Sequence, residues 1–241
     1  MKRTERHHLK ENEIERLALQ ARETVEARRR EIVAAVVIVA VIGVAALGYY
    51  GWHDRVESKA HGLLAEALAV QTVRVGPPAA PGTPNPTASF PTERERSQAA
   101  LAKLKAVADA YPTTDAGIYA RYEMGVTDMT LGDAASAEKA YQDVIQRGGS
   151  RIYGQMARLG LAEAQARSGQ YDQAIDTFKE LSQRKDGPLP IDGILMQLGR
   201  TYLDAGKTTE AQQTFTRLVQ EYPDSPFNGD AKKELDGLKK T

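Results

Sequence analysis

The sequence predicts an all-α chain, a single N-terminal transmembrane helix followed by a helical solenoid, and three observations carry that prediction. Residues 32–52 (IVAAVVIVAVIGVAALGYYGW) contain no Asp, Glu, Lys or Arg. From Ala100 to Leu218 a pattern of small, large and aliphatic residues recurs every 37 positions. Between these regions residues 76–91 (GPPAAPGTPNPTASFP) hold six prolines, too many for a regular helix or a central strand.

Composition narrows the function classes. The 241 residues carry 32 basic and 32 acidic side chains, whereas a dedicated nucleic-acid binder shows a basic excess. The absence of cysteine excludes disulfide scaffolds, thiol nucleophiles, zinc fingers, iron–sulfur clusters and a lipid-modified cysteine.

The apolar run comes first in the chain. As a helix its 21 residues reach about 32 Å, enough for a hydrocarbon core of roughly 30 Å. A core helix in water shows a polar face, and this run has none. A cleaved signal peptide has a short basic leader and a small-residue cleavage site. Here 31 residues precede the run, and it ends in Tyr49, Tyr50 and Trp52, which suit a membrane interface. A retained anchor is therefore expected. Arg22, Arg28, Arg29 and Arg30 lie before the span, against Arg55 and Lys59 after it. That bias keeps the N-terminus in the cytoplasm and sends residues 53–241 across. Ala40, Gly43 and Ala46 could pack against a second membrane helix and support a homo-oligomer, although no GxxxG is present.

The flanking segments follow from spacing. Residues 1–31 are expected to form a cytoplasmic tail, partly helical because Ile14, Leu17, Ala21 and Val25 share a helical face. Residues 53–75 read as a post-membrane helix, with Val56, Ala60, Leu63, Leu64 and Ala67 on one face. Residues 76–96 are the proline-rich linker.

The repeat region occupies residues 97–241. Ala100, Ala137, Ala174 and Ala211 are each followed four residues later by Leu104, Tyr141, Phe178 and Phe215, and three later again by Val107, Val144, Leu181 and Leu218. Positions i, i+4 and i+7 share a helix face. Gly132, Gly169 and Gly206 stand five residues before the last three alanines, where a turn between helices needs them. Upstream, Met124–Gly125, Leu161–Ala162 and Leu198–Gly199 supply a large–small pair on a preceding helix. The unit is helix, glycine turn, helix and connector.

This pattern resembles the tetratricopeptide repeat, which implies a tetratricopeptide-repeat-like α-solenoid of three full repeats near 118–151, 155–188 and 192–225. The third also carries the motif's Tyr202 and Pro223. Departures are three extra residues per period and arginine (Arg121, Arg158) where an aromatic is common. Ser97–Tyr111 aligns with the second helix of a preceding half-repeat. Ser225 and Pro226 are expected to open a polar capping helix over 226–239.

Catalysis is not expected. The four histidines (His7, His8, His53, His61) lie outside the repeats, and HExxH, GxxxxGK[ST], GxSxG and GxGxxG are absent. No catalytic residue, cofactor or metal is assigned. The family resemblance instead implies a protein-binding groove lined by the first helices. Its positions fall on Tyr119, Tyr122, Val126 and Met129, then Met156, Leu159, Glu163 and Ala166, then Gly193, Met196, Arg200 and Leu203. The lysine and asparagine set that clamps a peptide carboxylate in some members is absent. An adaptable apolar groove is expected in its place.

A short tail, one span and a repeat array resemble the membrane-anchored tetratricopeptide-repeat proteins of the bacterial envelope, the ancillary SecYEG translocon subunit and cell-division coordinator group. That resemblance implies a bacterial inner-membrane protein with periplasmic repeats. Its partners would be the Sec translocon, a membrane-anchored prolyl-isomerase chaperone, or exported unfolded chains. The rival expectation is a structural adaptor in envelope division or outer-membrane assembly.

Overall fold

The computed structural model describes residues 28–77, 89–148, 152–184 and 187–239. The helical expectation for residues 14–25 and most of the proline-rich linker lie outside the described residues. The chain divides into two compact units, Met1–Arg55 and Val56–Thr241.

Helix α1 (Arg29–Gln71) contributes residues to both. The span and post-membrane helix expected as two segments are thus one helix of 43 residues. No helix breaker separates them, since glycine alone weakens a helix by only about 1 kcal/mol. Among the described residues of the first unit the large apolar side chains are exposed: Val44 is 71% and Leu47 75% accessible. By length and hydropathy this helix is apolar enough to cross a membrane.

The second unit begins with the last part of α1. Two-residue strands β1 (Arg74–Val75) and β2 (Ser89–Phe90) then pair in parallel, a detail absent from the sequence expectation. Helix α2 (Glu93–Ala110) starts within the expected linker because Thr92 accepts the Glu95 N–H and caps it. Three helix pairs follow: α3 (Asp115–Leu131) with α4 (Ala134–Gly148), α5 (Ile152–Arg167) with α6 (Tyr171–Gln183), and α7 (Ile191–Asp204) with α8 (Thr208–Glu221). Helix α9 (Asn228–Leu238) closes the array. It starts two residues later than expected: Ser225 Oγ accepts from Phe227 N and donates to Asp192 Oδ2 at 2.7 Å, so Ser225 and Pro226 stay in the turn.

Each pair is closed by a left-handed glycine, with φ of 84°, 77° and 72° at Gly132, Gly169 and Gly206, a conformation that costs glycine least. Ala137, Ala174 and Ala211 are fully buried, which lets the paired helices approach closely, and Tyr141, Phe178 and Phe215 are at most 3% exposed. Polar contacts link one repeat to the next along the turns. Glu138 accepts from Ser168 Oγ and Gln170 Nε2, and Lys207 pairs with Asp172 at 2.6 Å.

The half-repeat is completed by α1. Its Ala60, Leu64 and Ala67 are buried with Leu104, Val107 and Ala108 of α2 and with Ala116 and Ala120 of α3. Leu63, expected on the same face, is 42% exposed. At the far end α9 buries Ala231 and packs Leu235 and Leu238 on the last core, while Lys232, Lys233 and Asp236 remain exposed.

Candidate protein-binding groove

The first helices of the three repeats share one side of the array: α3 packs on α5, and α5 on α7. Between them open two clefts. One, of about 440 Å³, is lined by Tyr122, Val126, Met129, Met156, Leu159 and Glu163, together with Tyr141, Gly160, Arg167 and Leu189. The other, of about 320 Å³, takes Ala166 and Arg200 along with Phe178, Gln197 and Thr201. Both include Met129, Glu163 and Arg167, so they are adjoining halves of a single groove. A smaller hollow of about 170 Å³ extends it past Val126 and Thr130 to Glu123 and Gln71.

Beside the groove stands a cluster of four tyrosines, of which Tyr122 and Tyr141 line the larger cleft. The Tyr119 ring lies 6.0 Å from Tyr122 and 5.2 Å from Tyr153, and Tyr122 lies 5.8 Å from Tyr141. Tyr119 is half-buried beside the clefts rather than lining them. Burial, then its hydrogen bond to the Glu123 carboxylate, pushes its phenol up to about 12. Burial also raises Tyr122 and Tyr141, with Glu123 and Glu163 adding to both. All three therefore stay neutral hydrogen-bond donors around neutral pH.

Charges mark the groove's middle and far end. Burial raises the Glu163 carboxyl despite the opposing Arg167 charge. Arg167 Nη1 donates to the Met129 carbonyl at 3.3 Å, tying α5 to α3. Arg200 lies 3.8 Å from Glu234 of α9.

Besides Tyr119, three positions expected in the groove are placed elsewhere. Met196 is 1% exposed and belongs to the core of the last two repeats. Leu203 packs against that same core. A Cβ on Gly193 would stand 3.4 Å from the Phe227 ring, so the connector before α9 already occupies that end of α7. The motif's groove positions assume a further repeat beyond, and here the chain turns back instead. A charge at Met196 would therefore test folding, not binding.

Sequence reasoning missed Gly160, Arg167 and Leu189, and that the buried Tyr141 backs the groove. The signal for Gly160 was a glycine inside a helix, which is unfavourable unless a neighbour approaches closely. A Cβ there would lie 2.5 Å from Tyr141 Cζ.

The arginines that replace the motif's aromatic also find a reason. Arg121 bridges Asp143 of its own repeat and Asp109 of α2, and Arg158 reaches Glu180 one period later.

The chain belongs to the tetratricopeptide repeat-like domain family, whose model matches residues 28–225. Repeats of this kind mediate protein–protein interaction and are typically non-catalytic scaffolds. Among solved structures, the nearly identical tetratricopeptide-like repeats of a protein described as a kinesin light chain from Podosopora anserina superpose with a TM-score of 0.57 at 14% identity, covering 76% of this chain and 86% of that one. A variant of the same protein gives 0.58 at 14%, covering 76% and 85%. At that identity the likeness concerns the fold. No curated protein sequence matches the chain significantly.

Proposed function

We propose that this is a non-enzymatic, membrane-anchored interaction protein whose groove between α3, α5 and α7 takes segments of other proteins. The observation that carries the reading is the open groove itself, with Tyr122, Met129, Met156 and Leu159 at its walls and nothing of the described chain filling it. Residues 32–52 anchor it in a bacterial inner membrane with the N-terminus in the cytoplasm and the repeats in the periplasm. Exposed apolar side chains on α1 and the arginines at 28–30 support that placement. The sequence resemblance adds the role of an accessory to the Sec translocon and the periplasmic chaperone network.

Gentle detergent extraction of the tagged full chain, followed by mass spectrometry of copurifying proteins, tests this. Translocon subunits and a periplasmic isomerase are expected, reduced by Tyr122→Glu. Recovery of division or outer-membrane assembly components in their place would make the chain a structural adaptor.

A further inference from the structure

The groove is not uniformly apolar, and the half-buried carboxylate of Glu163 stands at its middle. Glu163 lines both clefts, with Tyr122, Met156 and Leu159 around it. Its charge acts on both the Tyr122 and Tyr141 phenols, which places it within electrostatic reach of the aromatic wall. Several neighbouring acids have close partners: Asp143 pairs with Arg121, Glu180 with Arg184, and Glu234 with Arg200. Glu123 accepts from Gln71 at 3.4 Å and from Tyr119. Among the described residues no hydrogen bond or ion pair reaches Glu163; the Arg167 charge acts on it, but Arg167 Nη1 donates to the Met129 carbonyl.

A carboxylate held in an apolar cleft without a partner is destabilised relative to water, and a cation brought to it recovers that loss. Tyrosine faces add attraction for a cation at about 6 Å or less. We propose that Glu163 is the selectivity element of the groove, favouring partner segments in which a lysine or arginine is flanked by apolar side chains. This rests on the groove reading given above. The basic side chain enters between Glu163 and Tyr122, and its neighbours lie against Met129 and Met156. The aliphatic stem of lysine or arginine suits such a site, because it stays in apolar contact while the head meets the carboxylate.

The test is fluorescence anisotropy with the full chain in mild detergent and three labelled synthetic peptides of eleven residues. They are rich in leucine and phenylalanine and differ only in a central lysine, norleucine or glutamate. The lysine peptide is expected to bind about five- to tenfold tighter than the norleucine peptide, with glutamate weakest. Glu163→Gln, nearly isosteric, should bring the lysine and norleucine peptides to equal affinity; Glu163→Leu should make the norleucine peptide the tighter of the two. A lysine preference that persists in Glu163→Gln overturns the proposal. So does equal binding of all three peptides that Tyr122→Ala weakens alike, an outcome that leaves the groove reading standing. If no peptide binds, or if Tyr122→Ala changes none of the three affinities, the groove reading falls and this proposal with it.

Discussion

Tyr141 of α4 stands against Gly160 of α5 so closely that a Cβ on the glycine would lie 2.5 Å from the ring's Cζ. The same ring meets Gly125 of α3, where a Cβ would lie 2.6 Å from Cε1. One buried tyrosine therefore joins its own repeat to the next and also forms part of the groove wall. Gly160→Ala gains about 1 kcal/mol of helix propensity but overpacks the site by about 1–3 kcal/mol. A net loss of up to about 2 kcal/mol in denaturant unfolding is expected. The loss should largely disappear in a Tyr141→Leu background, since the two changes act on one contact. An equal loss in both backgrounds would show that the contact does not set the cost.

The end of α1 is part of the solenoid through Glu57 as well as its apolar face. Glu57 Oε1 accepts from the backbone N–H of Asp115 at 3.1 Å and Ala116 at 3.4 Å, at the positive end of α3. Glu57→Ala should lower stability by about 1 kcal/mol. Thermal unfolding of the full chain followed by circular dichroism checks it. A smaller loss is expected for Glu57→Gln, which keeps an acceptor but not the charge.

Asp128 gives a pH dependence with a definite sign. Burial, and then the Asp133 charge, pushes its carboxyl up to about 6. Because the folded value lies above the unfolded one, the folded state holds the proton more tightly, and stability falls as pH rises through about 4 to 6. Asp128→Asn should therefore stabilise the protein by about 1 kcal/mol at pH about 7.5. The advantage should shrink as the pH is lowered through 6. Urea unfolding at several pH values measures it.

The absence of cysteine makes topology directly testable. Ser58→Cys, on the exposed side of α1, should react with a membrane-impermeant maleimide added outside spheroplasts. Thr4→Cys should react only after the membrane is opened. The reverse pattern would contradict an N-terminus in the cytoplasm.

Much of this architecture is legible in the sequence because the repeat writes each constraint three times. Ala137, Ala174 and Ala211 recur because helix pairs can approach only over a small residue, and Gly132, Gly169 and Gly206 recur because each turn needs a positive φ. Features present once are harder to read. The partner helix of α2 is half legible: Ala60, Leu64 and Ala67 mark an apolar helix face, but they carry no motif that names the helix they meet. Met196 departs from the motif because it joins the core that the last two repeats share with Ala231 of α9. Gly160 marks the groove only through Tyr141, nineteen positions away, a pairing that helical periodicity does not encode.

Site-specific photocrosslinking in living cells tests the central claim most directly. A photoreactive residue at Met156, inside the groove, is compared with one at Gln212, exposed on α8 away from the groove. Protein adducts that form at Met156 and not at Gln212, and that Tyr122→Glu suppresses, are the predicted result. Adducts at Gln212 with none at Met156 would contradict a groove that binds partners.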